Sequence, residues 1–166
     1  MRQSAELNES VLAVRQNVVA AALSQLGTQD PLKYWRGVLP DTFNEFQLEL
    51  YAKSRDWCGG FALWCLKEAG LASDITWQDG RGFCYELTMT TEPKPGDVAY
   101  FAHPYQHHAI VESYDRQTGV LVSIDGNQGA PTVPGTKITA VSERERRATQ
   151  ATAFYSIESL IQTVPG

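Results

Sequence analysis

The apolar residues of this chain change their spacing part-way along it, and that change restricts the fold more than any other feature. Val11, Val14, Val18, Val19, Ala22, Leu23 and Leu26 recur every three or four positions, which predicts an amphipathic helix ending at Gly27. From Asp97 onward the pattern becomes short β-type runs, over 97–101, 107–113, 120–125, 137–141 and 153–157, separated by Pro, Gly, Asn and Asp. Helices first and strands afterwards imply an α+β domain, with N-terminal helices packed on a C-terminal antiparallel sheet. Between the two halves, Pro31 and Pro40 bracket a loop around Tyr34 and Trp35. Asp41 is placed to cap a short helix with Phe43, Phe46, Gln47 and Leu50 on one face. A third helix runs from about Trp57 to Ala69, with Asp56 as N-cap and Gly70 as its stop. Leu71 to Pro95 has no readable period.

At 166 residues the chain can bury one core, and a single domain over 1–166 is expected. The formal charge of −5 and the lack of a basic face argue against a nucleic-acid partner. The run Glu143-Arg144-Glu145-Arg146-Arg147 mixes signs and reads as a solvated face. No stretch reaches the roughly 18 apolar residues of a membrane span. The polar start, Met1 to Glu6, and the one-sided apolar pattern after it do not make an export signal, so synthesis in the cytoplasm is expected. Three cysteines, Cys58, Cys65 and Cys84, cannot all pair within one chain, so at least one thiol is free.

Cys58 falls at the first turn of the third predicted helix, in Asp56-Trp57-Cys58-Gly59-Gly60-Phe61. Unsatisfied N–H groups and the positive end of the helix dipole favour an anion there and lower a thiol's pKa. The two glycines allow a substrate close to the backbone. Cys65, among Phe61 and Trp64, and Cys84, between Phe83 and Tyr85, read as core. A thiol nucleophile needs a base, and all three histidines lie in one segment, His103-Pro104-Tyr105-Gln106-His107-His108. Neighbours at a strand start point to opposite faces, so only one of His107 and His108 is expected to face the Cys58 helix. His107 shares its face with Ala109 and Val111, which suits a packed helix and favours it as the base. The hairpin that follows returns Asp125 opposite His107 or one residue away, where its carboxylate can orient the imidazole. Asn127 is a further hydrogen-bonding candidate. A zinc site is disfavoured because adjacent strand histidines diverge and no metal-binding spacing is present, so no cofactor is expected. Tyr34, Trp35, Tyr51, Trp77 and Tyr105 are candidates for a groove lining, although aromatics more often build the core.

These residues resemble a known family. Trp57 to Cys65 resembles the nucleophile motif of the CHAP domains (cysteine, histidine-dependent amidohydrolase/peptidase), within the wider NlpC-like and papain-like set. Pro95 to Phe101 is similar to the strand before the histidine, and His107-His108-Ala109-Ile110-Val111 to the histidine motif, whose first histidine is catalytic. Asp125-Gly126-Asn127 is similar to the acidic-x-Asn element, with Asp where many members have Glu. The resemblance covers roughly 14 to 157. It implies a papain-like fold with the nucleophile at a helix N-terminus, and the catalytic set Cys58, His107, Asp125 and Asn127 with His108 as a variable position. It also implies hydrolysis of a peptidoglycan amide through a thioester, either at the N-acetylmuramoyl-L-alanine bond or within the stem peptide or cross-bridge. The setting would be a phage lysis enzyme or an antibacterial effector, with phage or secretion machinery and a cognate immunity protein as partners. An enzyme of the same fold acting on a non-wall amide, and a catalytically silent wall-binding or tail module, are the alternatives.

Overall fold

A computed structural model describes residues 2–129 and 139–162. Helices α1 (Arg2–Leu23), α2 (Leu32–Val38), α3 (Glu45–Ser54) and α4 (Cys58–Glu68) come first. They are followed by strands β1 (Thr88–Thr90), β2 (Val98–Phe101), β3 (His107–Asp115), β4 (Val120–Gly129), β5 (Thr139–Arg147) and β6 (Ala153–Ser156), and a closing turn of helix, α5 (Glu158–Ile161). The six strands form one sheet in the order β1-β6-β2-β3-β4-β5, with each neighbouring pair antiparallel. This is the expected α+β arrangement, helices packed onto a C-terminal antiparallel sheet.

The sheet has two buried faces. On one, Val98, Tyr100, Ile110 and Ile124 meet α1, α2 and α4 through Val18, Trp35, Phe61 and Leu66. On the other, Ala99, Phe101, Ala109, Val111 and Leu121 form a smaller core, closed by Tyr114, Ala148, Ala151 and Phe154. Helix α4 therefore packs on the Ile110 face of β3, which His108 shares, and not on the Ala109 face with His107 as the alternation argument had it. Larger apolar side chains, Ile110 and Ile124, offer the helix more area to bury than Ala109 does.

Local departures from the sequence reading have simple causes. The loop between Pro31 and Pro40 contains α2, which starts after Pro31 and buries Tyr34, Trp35 and Val38. Pro tolerates a helix start because the N–H it lacks would be unpaired there anyway. Helix α3 is capped by Asn44, not Asp41: Asn44 and Gln47 exchange side-chain and backbone hydrogen bonds in a reciprocal box. That start rotates the helix so that Leu48 is buried while Phe46 and Leu50 are exposed. The charge run over 143–147 belongs to β5, where Glu143, Glu145 and Arg147 make the solvated face and Arg144 and Arg146 are half-buried on the other. Of the expected strand over 137–141, Lys137 and Ile138 lie outside the described residues and the remainder begins β5. The unread stretch holds one short helical turn, Gly82–Glu86, and β1.

Arg15 on α1 fixes the helices to the sheet. It is buried, and its guanidinium donates to Asp97 Oδ1 at 2.7 Å and to the Pro95 carbonyl at 3.0 Å. Asp97 in turn accepts from the backbone N–H of Lys94 and of Ile157. A sequence that reads as a turn before β2 is thus a charged joint between α1, β2 and β6.

Candidate active site

Cys58 is the first residue of α4, with Trp57 at the cap position. Asp56 does not cap the helix; its Oδ1 accepts from Asn127 Nδ2 at 2.7 Å, tying the chain just before Cys58 to the end of β4. Gly126 makes that approach possible. A Cβ there would stand 2.7 Å from the Phe61 Cβ and 3.0 Å from the Trp57 ring. Asn127 follows in the left-handed region at φ 56°, which Asn adopts more readily than most residues. Asp125-Gly126-Asn127 is therefore a contact surface for α4 and not a plain turn.

His107 bridges two groups. Its Nε2 lies 2.7 Å from Asp125 Oδ2, which leaves Nδ1 for Cys58, the group it interacts with on the other side. Asp125 is opposite Ala109 in the strand register, two residues from His107. What brings it to the correct face is an irregularity between Val111 and Ser113, where β3 advances two residues against one on β4. Extrapolated from the turn end, where Asp115 opposes Val120, the unbroken register would set Asp125 against Ile110, on the other face. The bulge moves it onto the His107 face.

Two residues outside the expected set complete this arrangement. Arg146 donates to the same Asp125 Oδ2 at 2.6 Å and lies 4.7 Å over the Phe101 ring, and Ser123 donates to Asp125 Oδ1 at 2.6 Å. Had the strand been continued past 141, the period-2 alternation would have set Ser142, Arg144 and Arg146 on one face. His108 also reaches Cys58, from the opposite side. The expectation that only one of the two histidines meets the α4 head fails because Cys58 sits where that helix crosses the end of β3, within reach of both faces.

The electrostatics follow from these contacts. Burial pushes the Cys58 thiol up, but hydrogen bonds and charge from His107 and His108 outweigh it and bring the thiol down to about 6. Burial pushes the His107 imidazole down, but its bonds to Asp125 and Cys58 raise it to about 9. Burial likewise opposes the Asp125 carboxylate, yet His107, Arg146 and Ser123 hold it below the usual range. Between about pH 6 and pH 9 the pair rests as thiolate and imidazolium. Burial raises Cys84 to about 12 and Cys65 well above an ordinary thiol. One expected result follows: on the folded chain, iodoacetamide near pH 7 labels Cys58, and Cys65 and Cys84 react only after denaturation. Peptide mass spectrometry reads this directly, and equal labelling of all three thiols would contradict it.

Cys58 opens to hollows on both sides. One, of about 560 Å³, is lined by Asp56, Gly59, Trp77, Asp79, Gln106 and His108. The other, of about 620 Å³, is lined by Phe101, Tyr105, Gln106, His107, Asn127 and Arg146. Trp77 and Tyr105 thus line the groove, whereas Tyr34 and Trp35 are wholly buried. Tyr51 lies behind Trp77, accepting from its indole N–H at 3.2 Å.

Among the described residues, no helix is long and apolar enough to cross a membrane. No curated protein and no solved structure matches the chain. The family model that does match is the CHAP domain, over residues 50–127, a segment that runs from the end of α3 through Cys58 and His107 to Asn127. The resemblance carried by the cysteine and histidine motifs is thereby borne out: this part of the chain is matched to the CHAP domain family.

Proposed function

We propose that the chain is a peptidoglycan hydrolase that cleaves an amide bond through a cysteine thioester. The observation that carries this reading is the convergence of Cys58 and of the His107–Asp125 pair at the head of α4, with a hollow on either side of the sulfur. Cys58 is the nucleophile, His107 the acid and base, and Asp125 the group that holds the imidazole. Asn127 has a positioning part, since it fixes Asp56 beside Cys58.

The Cys58 thiolate attacks the amide carbonyl carbon, and the carbonyl π electrons move to oxygen. The first N–H groups of α4 have no acceptor within the helix and point at that developing charge. As the C–N bond breaks, the His107 imidazolium gives its proton to the departing amine, leaving a thioester and neutral imidazole. His107 then takes a proton from water as the water attacks the thioester, and collapse releases a carboxylic acid and regenerates the thiolate. The ion pair Cys58⁻/His107⁺ supplies both the nucleophile and the proton for the first half without a prior transfer.

The wall as substrate is supported by the CHAP match, and the hollows on both sides of the sulfur leave room for substrate there. The test is digestion of purified sacculi by the parent chain and by Cys58→Ala. The parent is expected to release soluble muropeptides and the variant none. Labelling of the new amine and carboxyl termini then identifies the bond, N-acetylmuramoyl-L-alanine or peptide. Sacculi left intact by both proteins, or dissolved equally by both, would defeat the proposal.

A further inference from the structure

The geometry points to His108 as a second catalytic imidazole, donating its Nδ1–H to the Cys58 sulfur from the helix side while His107 holds it from the other. This rests on the reading of Cys58 as nucleophile. His108 is buried at 2% exposure, lines the same hollow as Cys58, and is one of the two imidazoles that lower the thiol. Its Nε2 is buried without a hydrogen-bond partner among the described residues, which leaves Nδ1 as the bonding atom. That nitrogen presses on the head of α4: a Cβ at Gly59 would stand 2.9 Å from it. The same Cβ would strike the Trp77 ring first, at 2.2 Å, so glycine at 59 leaves room for the indole and the imidazole together.

The ring is held firmly. Phe83 stacks on it at 5.5 Å between centroids, Tyr100 lies at 5.1 Å and Trp77 meets it edge-on at 5.9 Å. A side chain kept only for packing would not leave a polar atom buried and unpaired, because that costs stability. A buried donor aimed at an anion offsets the cost, since a hydrogen bond to a charged acceptor is stronger than a neutral one. The bond matters most while the sulfur carries charge, before attack and after the thioester is released.

Other charged and titratable groups surround the sulfur without acting as donors to it. Arg55, Asp56 and Asp79 line the His108 side, and His103, Tyr105 and Arg146 the His107 side. Arg146 is committed to Asp125, Asp56 to Asn127, and Arg55 to Asp79. The two imidazoles are the groups that draw the thiol down.

The test compares His108→Phe, which keeps the stacking and loses the donor, with His108→Asn, which keeps an N–H near the Nδ1 position and loses the ring. The full chain is alkylated with iodoacetamide from about pH 4 to about pH 9, and sacculus digestion is followed over the same range. In His108→Phe the acidic limb is expected to move up by roughly one pH unit, so that near pH 5 both rates fall about tenfold and the loss shrinks toward pH 8. His108→Asn is expected to keep the parent's limb. A His108→Phe limb that coincides with the parent's would overturn the inference, as would a limb that moves equally in both variants. Should His108→Phe not fold, the parent protein decides: the ¹⁵N resonance of His108 Nδ1 is expected to shift as Cys58 titrates, and an unmoved resonance overturns the assignment. If parent sacculi stay intact while the alkylation limb moves, the wall as substrate fails and the second donor stands.

Discussion

His107→Ala is expected to lose roughly a thousandfold or more in kcat/KM on peptidoglycan fragments, with the protein still folded. Two losses combine. A positioned proton donor and acceptor contributes about 10²–10⁴-fold on its own, and here the same imidazole also holds Cys58 as thiolate. Groups that act as a unit are not additive, so His107→Ala and Cys58→Ala together should be hardly slower than either alone. The fold should tolerate the change, because His107 lies at the groove and its side chain is 14% exposed, at the start of β3 and away from the α4 packing face. Turnover of a defined muropeptide by the single and double variants checks this. A His107→Ala enzyme within tenfold of the parent would mean that another group moves the proton.

Arg15→Ala is expected to cost about 3–5 kcal/mol of stability, the range for stranding one partner of a buried ion pair. The carboxylate left behind, Asp97, is 1% exposed, so it lies out of reach of bulk solvent. The Pro95 carbonyl loses a donor as well. With a urea slope of about 1–3 kcal/mol per molar, the unfolding midpoint should fall by roughly 2 M. Arg36→Ala is the control. Its bond to Glu45 is as short, at 2.6 Å, but both side chains are largely exposed, so water takes over and the midpoint should barely move. Equal midpoints for the two variants would show that Arg15 and Asp97 are not the joint described above. Replacing the pair by two apolar residues is no remedy, since the N–H groups of Lys94 and Ile157 also depend on the Asp97 carboxylate.

The order of elements could be read from the chain because it rests on apolar spacing, and the helix at 58 announced itself by Trp57-Cys58-Gly59-Gly60. The faces of α3 could not, because Phe46 and Leu50 mimic a buried stripe while the capping box at Asn44 and Gln47 sets a different rotation. Helix α2 was hidden by its brevity and by prolines that normally signal loops. At the site, Cys58, His107 and Asp125 were recognisable as types, yet their meeting depends on where β3 gains its extra residue, which no single position betrays. Arg146 and His108 were passed over for the same reason. A doubled histidine looks redundant until both sides of β3 are known to be enclosed, and the charge run hides Arg146 between the exposed Glu145 and Arg147.

The strand irregularity beyond Val111 has a consequence for how errors in folding are rejected. Were β3 and β4 to zip without it, Asp125 would be driven among Phe61 and its neighbours, and Ile124 would be turned toward Arg146. Burying a bare carboxylate in a greasy layer costs several kcal/mol, so a mis-zipped hairpin is penalised by the same residue that steadies His107. The acid of the site thus also proofreads the alignment on which the site depends.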